Sequence, residues 1–113
     1  MQATFFKNAA IETISNPIAI PKVQTVNIQF TPDAANGFTG VVIIDLAAVA
    51  QVKTPWYSIA TIGMNPWISV ATIQFSKQDR VINFNLFFDL PYKWIRARVT
   101  DTRFGSIAAY VAY

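Results

Sequence analysis

Between Tyr92 and Arg98 the chain gathers two aromatic rings and three cations: Tyr92, Lys93, Trp94, Arg96 and Arg98. Trp94, Arg96 and Arg98 stand two residues apart, so an extended backbone projects them from one face. Such a face can clamp phosphates or stack on bases. It can equally anchor a partner protein, because Trp, Tyr and Arg are the usual interface anchors. It can also be structural, with Arg96 and Arg98 paired to Asp79, Asp89 or Asp101 within the sheet. A second aromatic set, Trp56, Tyr57 and Trp67, could offer flat rings to a sugar or close one end of the core.

Other chemistry is scarce. The chain has neither Cys nor His. That removes the usual metal ligands and the near-neutral general base, and it excludes zinc, iron–sulfur and Cys-nucleophile sites. The six acids, Glu12, Asp33, Asp45, Asp79, Asp89 and Asp101, are scattered, with no D-x-D run, and fit turn-forming or Arg-pairing roles. No G-x-S-x-G or Gly-rich phosphate loop occurs. The expectation is a protein with no catalytic residues, no cofactor and no metal.

The elements that would position the Trp/Arg face are strands. Trp94, Arg96, Arg98 and Thr100 alternate with Ile95, Ala97 and Val99, the period of a half-buried strand. Asp101 to Ser106 reads as the turn of a terminal β-hairpin, with Gly105 available for positive φ. Ile107, Ala109, Val111 and Tyr113 then alternate with Ala108, Tyr110 and Ala112. Upstream, Val26, Ile28 and Phe30 oppose Thr25, Asn27 and Gln29, and Asn36-Gly37 punctuates the following turn. Val41 to Leu46 is an apolar strand; Ala47 to Lys53 has the propensity for one or two helical turns, but its β-like flanks and Pro55 favour strand followed by loop. Pro55 to Thr61 is echoed by Pro66 to Thr72 eleven residues on, suggesting two similar adjacent strands, with Ala60, Ile62, Ala71, Ile73 and Phe75 facing the core. Ile82, Phe84, Leu86, Phe88 and Leu90 alternate with Val81, Asn83, Asn85, Phe87 and Asp89. About eight short strands with regular turns predict an all-β fold, a compact antiparallel β-sandwich of jelly-roll type.

Residues 1–22 stand apart from the sandwich domain, residues 23–113. Pro17 and Pro21 forbid a central strand there and favour an edge strand or an extended arm. As an arm, the segment would carry Phe5 and Phe6 to a neighbouring subunit.

At 113 residues the chain is one domain, long enough for a single core without staples. Its net charge of +3 is too weak and dispersed for a nucleic-acid footprint. No signal peptide or membrane span is read, so a soluble protein made in the cytoplasm is expected. The 13% of charged residues is low beside the roughly 25% of ordinary soluble domains. Many neutral and apolar groups must therefore be exposed or covered by other subunits.

Trp56-Tyr-Ser-Ile-Ala-Thr-Ile62, Pro91-Tyr-Lys-Trp-Ile-Arg-Ala-Arg-Val-Thr100, the Gly105 turn and the final Tyr110-Val-Ala-Tyr113 resemble small virion proteins of tailed bacteriophages, over residues 55–113. In length and architecture the chain is also similar to jelly-roll cement, or decoration, proteins. The resemblance implies a structural role in a virion, whether at capsid, neck or tail, and the main expectation is cement on the capsid surface. That expectation makes the major capsid protein the partner and adds self-association as a dimer or trimer; no membrane or nucleic-acid partner is expected. The contacts would come from residues 1–22 and the Trp94/Arg96/Arg98 face. The reading from another class is a carbohydrate-binding or host-adhesion module of a phage tail, built on Trp56, Tyr57 and Trp67. A single-strand-binding module is a third.

Overall fold

Among the described residues the chain forms nine strands. They are β1 (Gln2–Ala9), β2 (Thr13–Ile14), β3 (Ile18–Ala19), β4 (Thr25–Pro32), β5 (Phe38–Ala47), β6 (Trp67–Phe75), β7 (Ile82–Phe87), β8 (Trp94–Gly105) and β9 (Ile107–Ala112). The structure, a computed structural model, describes residues 2–20, 25–47, 67–87 and 93–113. Ala60, Ile62, Phe88 and Leu90, and the whole of the passage after Ala47, lie outside them.

The strands make two antiparallel sheets. The first is four-stranded, in the order β1-β9-β4-β7, and the second runs β2-β8-β5-β6, with β3 also on β8. β2 and β3 are two pieces of one edge strand along β8. Thr13 and Ile14 pair with Val99 and Arg98, and Ile18 and Ala19 pair with Ile95 and Trp94. The interruption contains Pro17, which cannot donate to the ladder. Buried Ser15 bridges it: its backbone N–H donates to the Ala97 carbonyl and its Oγ accepts from the Ala97 N–H, both at 2.9 Å. With β2 and β3 taken as one, the eight strands cross between sheets at every step except β5 to β6. That is the jelly-roll winding, the type of sandwich expected, in a strand order that alternation alone does not encode. Residues 2–20 thus supply an edge of each sheet.

The alternation of β4 and β8 is realised in full. Val26, Ile28, Phe30, Ile95, Ala97 and Val99 are buried between the sheets. Phe75 on β6 meets both Phe30 and Phe38 edge-on, with ring centroids 5.8 and 5.7 Å apart, a favoured aromatic geometry. Ala71 and Ile73 pack against this core, as do Ile82 and Phe84.

Two expectations are corrected. β8 and β9 are not a hairpin. β8 runs on to Gly105 and pairs with β5, whereas β9 pairs with β1 and β4 in the other sheet. Within the supposed turn, Asp101 (φ 49°) opens a bulge that lets β8 continue to Phe104 opposite Thr39. Gly105 does take positive φ, 74°, but at a corner between sheets. The second correction concerns Phe5 and Phe6, which are buried in the core and not presented to a neighbour. A register shift between Thr4 and Phe6 lets both consecutive rings turn inward.

Candidate functional site

The outward face of the second sheet collects the functional side chains read from the sequence, and register explains how. Ala47 on β5 lies between Trp94 on β8 and Trp67 on β6. Two residues back along β5, Asp45 lies between Arg96 and Ser69. A further two residues back, Ile43 lies between Arg98 and Thr72, and Ile14 on β2 completes that row beside Arg98. A bulge in β6 at Val70 brings Ser69 opposite Asp45.

Asp45 is the centre. The run 41–47 around it is otherwise apolar, and although it points away from the core it is only 1% exposed. The Arg96 Nε donates to Oδ2 at 2.9 Å, and the Arg98 Nε donates to the same oxygen at 2.6 Å. Ser69 Oγ donates to Oδ1 at 2.9 Å, and the Arg98 Nη2 reaches both Oδ1 and Ser69 Oγ, at 3.3 and 3.1 Å. Burial alone would push the Asp45 carboxyl up. The hydrogen bonds from Arg98, Arg96 and Ser69, with the charge of Arg98, outweigh it and hold the carboxyl below its usual value. The guanidinium of Arg96 also lies over the Trp67 ring, 4.3 Å from its centroid, within cation–π range.

The arginines therefore have a partner that their spacing alone did not reveal. Asp79, Asp89 and Asp101 were the acids expected to pair with them. Asp101 instead bonds Arg103 at 3.3 Å, and Asp79 caps its own turn by accepting from the Ser76 N–H at 2.7 Å; Asp89 lies outside the described residues. The missed signal is legible afterwards: a single carboxylate inside the run Val41-Val-Ile-Ile-Asp-Leu-Ala47 can be buried only beside a cation.

Trp67, Trp94, Arg96 and Arg98 thus share one surface, merging residues that the sequence assigned to two different sites. Tyr92, Trp56 and Tyr57 lie outside the described residues. The surface can hold a partner through aromatic area and guanidinium edges, since Arg96 and Arg98 remain 18% and 27% exposed. Elsewhere, a cleft of about 560 Å³ opens between the β4–β5 and β6–β7 turns, lined by Asp33, Asn36, Lys77, Asp79 and Arg80 among others. Among the described residues no group of three or more acids could hold a metal ion.

No family model matches the chain, and no curated protein matches it. Among solved structures, the crystal structure of the SPBc2 prophage-derived protein YomS is similar in fold. The TM-score is 0.65, with 6% sequence identity over 98% of this chain and 88% of that one.

Proposed function

We propose that this chain is a non-catalytic structural protein of a bacteriophage particle. In this reading it is a cement protein that binds the major capsid protein on the capsid surface and self-associates as a dimer or trimer. The observation that carries the reading is the outward face of the second sheet. It clusters two tryptophans and two arginines, the residues that anchor protein interfaces, while Asp45 offsets one of the two positive charges and holds both guanidiniums in place. Such a face binds by area and shape and needs no charged ligand. The jelly-roll fold shared with a prophage-derived protein supports the phage setting, and the virion proteins that the chain resembles support the capsid.

The sugar-binding alternative draws less support, because one face of the Trp67 ring is already covered by Arg96. A nucleic-acid role would need several cations to spare, whereas the two on this face are both bonded to Asp45 and leave a surplus of one charge.

Replacing Arg96 and Arg98 would confound binding with folding, since each holds a buried carboxylate. The better probes are Ile14→Glu and Thr72→Glu, exposed positions at the two ends of the Arg98 row. Purified protein should co-sediment with shells assembled from the major capsid protein of the same virus. The double variant should bind at least about tenfold more weakly, the effect of losing a little over 1 kcal/mol, with unchanged thermal unfolding. Undiminished binding would move the contact elsewhere, and no binding by the wild type would sink the cement reading.

A further inference from the structure

The strands β6 and β7, at the sheet edges, contain no charged residue, whereas the long edge strand β1 carries Lys7. Both strands are last in their sheets among the described residues. Natural edge strands are usually protected from pairing by charge, proline or a bulge. β6 has its bulge at Val70. β7, Ile82-Asn-Phe-Asn-Leu-Phe87, has none of the three: its pairing with β4 runs without a register shift from Thr25↔Phe87 to Phe30↔Ile82. Its outward row ends in Phe87, 75% exposed, and is preceded by Val81, 49% exposed. Its inward residues Ile82 and Phe84 touch the core but stay only partly covered.

We propose that β7 is a self-association edge, at which two copies pair β7 to β7, antiparallel, about a twofold axis at Phe84. The two four-stranded sheets then join into one continuous sheet. This deepens the self-association part of the proposed function and rests on it. A second copy is the fitting occupant because the strand is complementary to itself in this register. Asn83 faces the other copy's Asn85, Ile82 faces Leu86, Phe84 faces Phe84, and Val81 faces Phe87. Amide meets amide and apolar meets apolar at every position. Directly opposed residues of antiparallel strands share a face, so the outward row stays outward and the inward row gains cover. Asparagine both donates and accepts, so its pairing across a twofold needs no opposite charge. Asn85 already accepts from the Asn27 Nδ2 at 2.8 Å, and the second copy's Asn83 would lengthen that amide row. A register centred on Asn85 would instead set Asn83 against Phe87.

Light scattering from low to high micromolar tests this on the full chain. The wild type should be a dimer. Asn83→Lys with Asn85→Lys sets lysines against lysines and should weaken the dimer at least about tenfold, the scale of like-charge juxtaposition. Mixing that variant with the Asn83→Glu, Asn85→Glu variant should restore a dimer, a rescue that a misfolded chain could not give. A wild-type oligomer whose mass is unchanged in the lysine variant, or a wild-type trimer, overturns the edge and leaves self-association standing. A wild-type monomer throughout overturns both. Failure of the mixture to associate also rejects this register.

Discussion

Asp45 shows how one residue can turn an apparent binding feature into a structural one. Two arginines at strand spacing read as a surface for ligands, but their Nε atoms converge on one carboxylate oxygen. Removing Arg98 strips the 2.6 Å bond from a buried carboxylate that Arg96 and Ser69 still hold. Arg98→Ala should therefore cost about 1.5–3 kcal/mol, the usual worth of hydrogen bonds to a charged group. Replacing the whole cluster with apolar residues of similar volume, Asp45→Leu with Arg96→Met and Arg98→Met, should be nearly neutral in stability. Urea midpoints of the two variants measure the contrast. The pH dependence follows from the lowered folded-state pKa of Asp45. Its contribution is complete above the ordinary aspartate value of about 3.9 and is lost as pH falls from there through the folded-state value. Asp45→Asn should be less stable at neutral pH and show a shallower loss on acidification below about pH 4.

At the scale of the element, the corner between β8 and β9 is the part least legible in advance. Alternation shows which side chains of a strand point inward, and it did so for Ile95, Ala97 and Val99 and for Val26, Ile28 and Phe30. It carries no information about which sheet the strand joins. A glycine at positive φ serves a hairpin and an inter-sheet corner equally well. The distinction lies in long-range pairing, β8 with β5 and β9 with β4, which no local pattern encodes. The same limit hid Asp45, since it is 51 residues from Arg96 in sequence. The corner itself is tightly built. The Ser106 N–H donates to the Gly37 carbonyl at 3.2 Å, and the Asp33 N–H donates to the Ser106 carbonyl at 2.9 Å. The β4–β5 and β8–β9 corners are thereby locked together, and a Cβ on Gly105 would collide with the Gly37 carbonyl oxygen. Gly105→Ala should cost about 1–2 kcal/mol from the left-handed backbone alone, plus the displacement of Gly37. A fall in thermal midpoint would record it. An unchanged midpoint would show that the corner can open without loss.

For the whole molecule, the winding order decides which parts depend on which. β9 lies between β1 and β4, so it completes the first sheet although it follows every other strand in the chain. Residues 1–105 should therefore fail to fold cooperatively, with the buried row of β4 left without its neighbour. A peptide of residues 106–113 supplied in trans should restore strand signal by circular dichroism, because its ladder positions on β1 and β4 would be vacant. A stably folded fragment without the peptide would contradict this dependence of the first sheet on β9.

The pairing of β1 with β9 has a mechanical side as well. Gln2 stands opposite Ala112 in an antiparallel ladder, so the two ends of the chain emerge together. A load drawn between them would open that ladder from its end, pair by pair, like a zipper, and meet little resistance at any instant. Tension applied across the faces of the sandwich would have to shear many pairs at once. If the protein sits on a shell under pressure, the durable way to hold it is by its sheets, leaving its termini slack.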